Sequence, residues 1–237
     1  LIFQNRNSIP TGSSAAGMSI SSKGVFRAER VGRFKLGYKA IRYEFMKRLF
    51  DLVVLAITAP LWLPVVAVCL IALWLHSPGD PIFYRQMRTG RYGKPFAMLK
   101  FRTMVTNADD LKERLRSESV VAWPDFKLLQ DPRVTSVGAF LRKTSLDELP
   151  QLFNVLAGQM SLVGPRPTSF SIDTYEPWQT ERLDVKPGIT GLWQVYGRGE
   201  MEFDERSRLD IHYVHRRSIR LDFYILTRTF GSLLKGS

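Results

Sequence analysis

A single cysteine, Cys69, in 237 residues excludes a disulfide framework and a cysteine-rich metal centre. Histidine is almost as scarce. There are three, and His212 and His215, though three apart, have no further ligand at metal spacing, so they read as helix surface facing solvent or membrane. The common phosphate-cradling signatures are missing too. None of the 17 glycines falls into GxGxxG or GxxxxGK[ST], which excludes a dinucleotide-binding turn and a P-loop. Nor do aromatic and basic residues alternate at the spacing of a nucleic-acid platform. Acid is in deficit: 22 Asp and Glu against 34 Lys and Arg give a formal charge of +12. Anions are therefore the partners to expect, whether nucleotide phosphates, an acidic membrane face or nucleic acid.

What the chain does have is one long uncharged run. Residues 1–40, rich in Ser, Gly and Asn and basic toward their end, read as a disordered or appended leader. The basic stretch at 27–48 suits an anionic surface. Residues 52–75, LVVLAITAPLWLPVVAVCLIALWL, then contain no Asp, Glu, Lys or Arg. As a straight helix they would cover about 36 Å, more than the roughly 30 Å of a bilayer core. Pro60 and Pro64 sit inside the run and predict a kink or a break. Either a kinked helix crosses the bilayer, or a helical hairpin enters and leaves by one face. Lys47 and Arg48 before the run, and Arg85, Arg88, Arg91 and Lys94 after it, put basic charge at both ends. Positive charge favours the cytoplasmic side, so the hairpin is the expected form. The juxtamembrane segment and membrane helix then occupy 41–79, and a globular domain 80–237.

Within that domain, residues 80–104 read as extended pieces around a turn marked by Gly90, Gly93 and Pro95. A helix is expected after Asn107 or Asp109, a short one ending near Lys143, and two amphipathic helices in the tail from about 203 to 235. The stretch TSLDELPQ, residues 144–151, raises a sharper question. Ser145 and Glu148 have the spacing of a capping box, and Leu146, Leu149, Leu152, Phe153 and Leu156 continue as a helical stripe. Asp147 is off that stripe. Two adjacent acids at a helix start can also do chemistry, one as nucleophile toward phosphorus and the other on Mg²⁺. Spacing alone favours the cap. Arg142 lies just ahead of the pair, and Arg166, held between Pro165 and Pro167, suits bidentate phosphate binding. Lys186 and Arg198 add charge to later glycine-rich loops.

From about Tyr43 to its end the chain resembles the bacterial sugar transferases, the monotopic polyprenyl-phosphate phosphoglycosyl transferases. The stretches that carry the resemblance are KRLFDLVV with its proline-broken run, LKFRTM, DPRVTSVGAFLRKTSLDELPQLFNVLAGQMSLVGPRP and KPGITGLWQVYGR. The resemblance implies an α/β fold: a mostly helical small catalytic domain, a re-entrant membrane helix broken at a proline, here Pro60 with Pro64 near, and amphipathic surface helices. Ala59 stands where the family usually has serine, so the break leans on Thr58 or Pro64. The resemblance further implies Asp147 as covalent nucleophile and Glu148 as active-site carboxylate and Mg²⁺ ligand. Arg142, Arg166, Lys100, Arg102, Lys186 and Arg198 become the phosphate-binding set. The implied reaction is ping-pong: sugar-1-phosphate passes from a UDP-sugar, galactose or glucose, through Asp147 to undecaprenyl phosphate, with UMP released. Exopolysaccharide, capsule or O-antigen assembly is the implied process. The implied place is the cytoplasmic face of a bacterial inner membrane, with homodimerisation open and nucleic acid not expected as a partner. Longer members carry further helices ahead of this region, so the chain corresponds to a short form or to a catalytic portion. A UDP-releasing lipid glycosyltransferase, a membrane-tethered nucleic-acid binder and a non-catalytic scaffold of the same fold are the competing expectations.

Overall fold

The structure, a computed structural model, describes residues 38–115, 128, 131–197 and 201–234. The expected leader lies outside the described residues as far as residue 37, as do Arg198 and most of the loop at 123–130. The uncharged run folds as part of one helix, α1 (Tyr38–His76), 39 residues long. The expected hairpin of two helices is not seen: α1 stays helical through both Pro60 and Pro64. Each proline removes a single backbone donor, the usual partner of the Ala56 or the Pro60 carbonyl, and the remaining ladder continues across both positions. In the same stretch Thr58 Oγ1 donates to the Val54 carbonyl at 2.7 Å, and Trp62 Nε1 donates to the Leu55 carbonyl at 3.2 Å.

One side of α1 is bare. Ile57 and Leu61 are each 73% exposed, and Val68, Ile71, Trp74 and Leu75 are more than half exposed. A contiguous apolar stripe of this kind marks a surface that meets lipid or protein rather than water. The other side of the helix is packed at both ends. Near its start, Lys47 pairs with Asp222, Asp51 accepts from Ser161 Oγ and the Leu162 amide, and Arg48 donates to the Val155 and Leu156 carbonyls. Near its end, Val66, Cys69 and Leu73 bury themselves with Phe101 and Leu141.

From His76 the chain needs only six residues to enter a hairpin, β1 (Phe83–Thr89) antiparallel to β2 (Pro95–Phe101), as the sequence predicts. At its turn Gly93 has φ +74°, and a Cβ there would sit 2.3 Å from Ile172, so only glycine fits. After a short helix, α2 (Ala108–Arg114), comes α3 (Ser136–Lys143), whose Thr135 cap accepts from the Gly138 amide at 3.0 Å. A Cβ on Gly138 would meet the Thr103 carbonyl oxygen at 2.1 Å; its absence lets α3 dock on the end of the hairpin. A single 3₁₀ turn, Leu146–Glu148, leads into α4 (Gln151–Leu156). Two three-residue strands, β3 (Ser161–Val163) and β4 (Gly188–Thr190), pair in parallel. Then come α5 (Leu192–Tyr196), α6 (Phe203–Arg216) and α7 (Ile219–Leu234), the last two matching the expected tail helices.

Helices dominate and the strands form only two pairs, so the expected mostly helical α/β architecture holds apart from the broken anchor. Two apolar clusters organise it. The larger joins Leu55 of α1 to Phe96 and Met98 of β2, Val155 of α4, Leu162 and Val163 of β3, and Ile225 of α7. The smaller holds the end of α1 against Phe101, Leu141, Leu146 and Leu149. The segment containing Asp147 and Glu148 is thus wedged beside α1. Buried Asn154 fixes α4 to the hairpin. Its Oδ1 accepts from the Leu99 amide at 2.9 Å, and its Nδ2 donates to the Ala97 carbonyl and to Gln159.

Candidate active site

The turn between α3 and α4 does not use the expected capping box. Ser145 adopts a left-handed conformation, φ 57°, and makes no side-chain cap. It ends α3 instead: its amide donates to the Arg142 carbonyl at 3.1 Å, the bond expected of the residue just past a helix C-terminus. Its carbonyl accepts from the Glu148 amide at 3.3 Å, so Ser145 closes α3 and opens the next turn through its backbone alone, without the reciprocal side-chain bonds of a capping box. Glu148 is therefore released from capping, and Ser145 is succeeded by one 3₁₀ turn rather than a full helix start. A non-glycine residue in this region stores strain, which concentrates at functional sites.

Glu148 becomes the hub of an ion cluster. Its Oε1 accepts from Lys100 Nζ at 2.8 Å and from the Arg166 guanidinium, whose second nitrogen reaches Oε2 at 3.2 Å. Burial alone would raise the Glu148 pKa, but Arg166 and Lys100 outweigh it and hold the carboxyl at about 2. Asp147 is buried as well, and among the described residues its one ion-pair partner is Lys100 Nζ, at 3.8 Å. Burial pushes its pKa up from the ordinary aspartate value, Lys100 opposes this, and the Glu148 charge adds to it. The structure thus separates two adjacent acids into a firmly ionised partner of cations and a dry, weakly compensated carboxylate. Such separation is a mark of assigned chemical roles.

Arg142 and Arg88 complete the surroundings. Arg142 donates from Nε to Thr103 Oγ1 at 2.8 Å and is close enough to oppose the rise at Asp147. Arg88, on β1, faces Arg166 and Glu148; burial and the Arg166 charge both lower its pKa. Its guanidinium bonds to Gln86 Oε1, at 3.1 and 2.6 Å, and pairs with no carboxylate among the described residues. Among the described residues, Lys100, Arg142, Arg166 and Arg88 therefore surround two carboxylates, a surplus of positive charge suited to an anion such as phosphate.

Two expected members are elsewhere. Arg102 pairs with Asp80 at 3.0 Å, clamping the loop after α1. Lys186 sits at the root of α1 with Arg48, Arg91, Glu44 and Asp51, where burial and the neighbouring arginines lower its pKa. Arg198 lies outside the described residues. Arg88, in contrast, reads in the sequence only as a charge flanking the membrane run. No local sequence pattern marks it: Arg88 reaches the site because its neighbour Thr89 bridges Thr168, two residues past Arg166, a long-range pairing.

The residues can also be tested for Mg²⁺. A carboxylate offers about four lone-pair sites. Lys100 and Arg166 use three of those on Glu148 and leave one on Oε2. No group of three or more His, Cys, Asp or Glu side chains gathers among the described residues. The donor set fits an ion that takes one or two carboxylate oxygens here and the rest from substrate phosphate and water, the usual habit of Mg²⁺.

The bacterial sugar transferase family model matches residues 42–236, and the chain belongs to that family. It is 46% identical over 203 residues to the undecaprenyl-phosphate galactose phosphotransferase of Salmonella typhimurium, covering 81% of this chain and 41% of that protein. It is 42% identical over 205 residues to the UDP-glucose:undecaprenyl-phosphate glucose-1-phosphate transferase of Caulobacter vibrioides, covering 82% and 72%. An exopolysaccharide production protein of Rhizobium meliloti is 40% identical over 192 residues, covering 79% and 84%. The chain spans well under half the length of the Salmonella relative and most of the length of the other two.

Proposed function

We propose that this chain transfers a sugar-1-phosphate from UDP-galactose or UDP-glucose to undecaprenyl phosphate, the opening membrane step of an exopolysaccharide, capsule or O-antigen. The observation that carries the reading is the Asp147–Glu148 pair, one acid neutralised by Lys100 and Arg166 and the other buried and available, in a chain of this family. An Asp147 carboxylate oxygen attacks the β-phosphorus of the UDP-sugar. The bond from that phosphorus to the bridging oxygen breaks, UMP leaves, and an acyl phosphate bearing the sugar remains. A phosphate oxygen of the lipid then attacks the same phosphorus and frees Asp147. Lys100, Arg142 and Arg166 stabilise charge on the phosphoryl oxygens throughout. Mg²⁺, held at Glu148 Oε2 and by the diphosphate, would supply further screening of that charge.

The anchor geometry supports a monotopic arrangement with both helix ends on the cytoplasmic face. The start of α1 is fastened to β3, α4 and α7, and its end to β2 and α3. A helix whose two ends are held by one water-facing body cannot deliver them to opposite sides of a core about 30 Å thick. Asp147→Asn should abolish UMP release from UDP-sugar even without lipid acceptor; normal release by that variant would sink the nucleophile assignment. Release of UDP instead of UMP would identify a conventional glycosyltransferase, and no consumption of UDP-sugar a scaffold.

A further inference from the structure

Beside the Glu148–Arg166 pair the surface opens into a shallow cleft of about 120 Å³. Its walls are Arg88, Arg166, Arg182 and Arg206, the rings of Phe170, Trp193 and Phe203, and the Pro167–Ser169 backbone turn. Among the described residues no acidic side chain lines it. Arg166 belongs to both places: its guanidinium holds Glu148 and also forms the cleft wall. Anything seated in the cleft therefore has a cationic bridge to Glu148, the neighbour of the buried Asp147.

We infer that this cleft is the nucleoside monophosphate subsite, with Arg88 and Arg166 on the diphosphate and Trp193 stacking the pyrimidine base. The inference rests on the proposed transferase reading and deepens it. The roles of the walls are set by the contacts each side chain already makes. Arg182 is committed to structure: it pairs with buried Asp210 through Nε at 3.0 Å and donates to the Arg166 carbonyl at 2.9 Å, fixing the PRP loop. Phe203 is covered by the edges of Phe170 and Tyr175 and by the Arg182 and Arg206 guanidinium groups. Trp193 is different. Arg206 lies over its ring at 5.6 Å, and no aromatic ring packs against it among the described residues. An indole backed on one face by a cation and partly exposed is a base-stacking platform. Arg88, which has no carboxylate partner among the described residues and faces a second arginine, lacks an anion that a phosphate would supply. The Ser169 side chain, exposed on the cleft wall, offers a hydroxyl for a ribose or base edge.

The test uses the full chain in lipid nanodiscs, with UMP and inorganic pyrophosphate as probes and UDP-galactose turnover as the companion readout. Trp193→Ala should weaken UMP binding and raise the KM for UDP-sugar by about tenfold or more, while Trp193→Phe stays within about threefold of wild type. Pyrophosphate binding should survive Trp193→Ala and be lost in Arg88→Gln. Ser169→Trp, at an exposed position, fills the cleft without touching the core and should also abolish UMP binding. Wild-type UMP affinity in Trp193→Ala and Ser169→Trp, with turnover intact, overturns the subsite and leaves the transferase reading standing. UMP binding that depends on Trp193 without any consumption of UDP-sugar does the reverse. Neither binding nor turnover in the wild type overturns both.

Discussion

Asp147 and Glu148 share a turn but not an environment, and their difference is measurable by pH. Glu148 has a folded-state pKa of about 2 against an ordinary 4.5, because Arg166 and Lys100 outweigh the cost of burial. A depressed carboxylate stabilises the fold fully above the unfolded value and loses that contribution as pH falls through the folded one. The window here runs from 4.5 down to about 2. Acid unfolding of the wild type followed by fluorescence should therefore steepen below pH 4.5, and Glu148→Gln should remove that part of the pH dependence. Asp147 is shifted the other way by burial. It accepts a proton at higher pH than a free aspartate, so UMP release without acceptor should rise with pH through a midpoint above 3.8. Because the two acids are adjacent, that midpoint belongs to the pair. A rate independent of pH across this range would count against Asp147 as the attacking group. At Arg166, Lys keeps the charge but not the two-pronged contact with Glu148, so Arg166→Lys should lose much of the activity.

At the scale of elements, the hairpin, α3 and the two tail helices are legible in the sequence because their signals are local. Glycine and proline mark the turn near residue 93, and the 3.6-residue period marks 203–216 and 219–234. The turn at Ser145 is not legible, since a Ser-x-x-Glu spacing reads the same whether Ser145 opens one helix or closes another. That choice is made by α3, whose end demands a left-handed residue there. Lys100 is legible only through resemblance, because the strand that carries it meets Glu148 across 48 residues of chain. The tie that sets this distance is Asn154, which joins α4 to the backbone of β2 beside Lys100. Asn154→Ala would leave the half-buried Leu99 amide and Ala97 carbonyl without the bonds that Asn154 makes to them. Each such group costs about 1–3 kcal/mol. The variant should unfold several degrees below wild type in a thermal scan, and its UMP release should fall because Lys100 is no longer held against Glu148. An unchanged melting temperature would show that the helix–hairpin contact does not depend on this side chain.

At the scale of the molecule, the anchor and the site are one mechanical unit. The polar root of α1, with Lys47, Asp51 and Arg48, locks its first half onto the strands and helices behind the site, while Val66, Cys69 and Leu73 pack near Leu146 and Leu149 of the catalytic turn. The bare stripe of Ile57, Leu61, Val68 and Ile71 then faces away from the domain. Seated in lipid by that stripe, the protein would bring Asp147 near the depth of a lipid phosphate, and a search through solution becomes a search within a surface layer. On α7, Phe223 and Phe230 are 61% and 57% exposed in a helix that also carries Arg220 and Arg228. Seating by the α1 stripe requires both ends of α1 on one side. With the buried Cys69 replaced by alanine, single substitutions Arg42→Cys and Gly79→Cys place thiols at exposed positions beyond each end of the apolar run. In sealed vesicles of one orientation, a membrane-impermeant maleimide should label both from the same face. Labelling of the two from opposite faces would mean that α1 crosses the bilayer, and the shared docking of its ends on one domain would then have to break in the membrane.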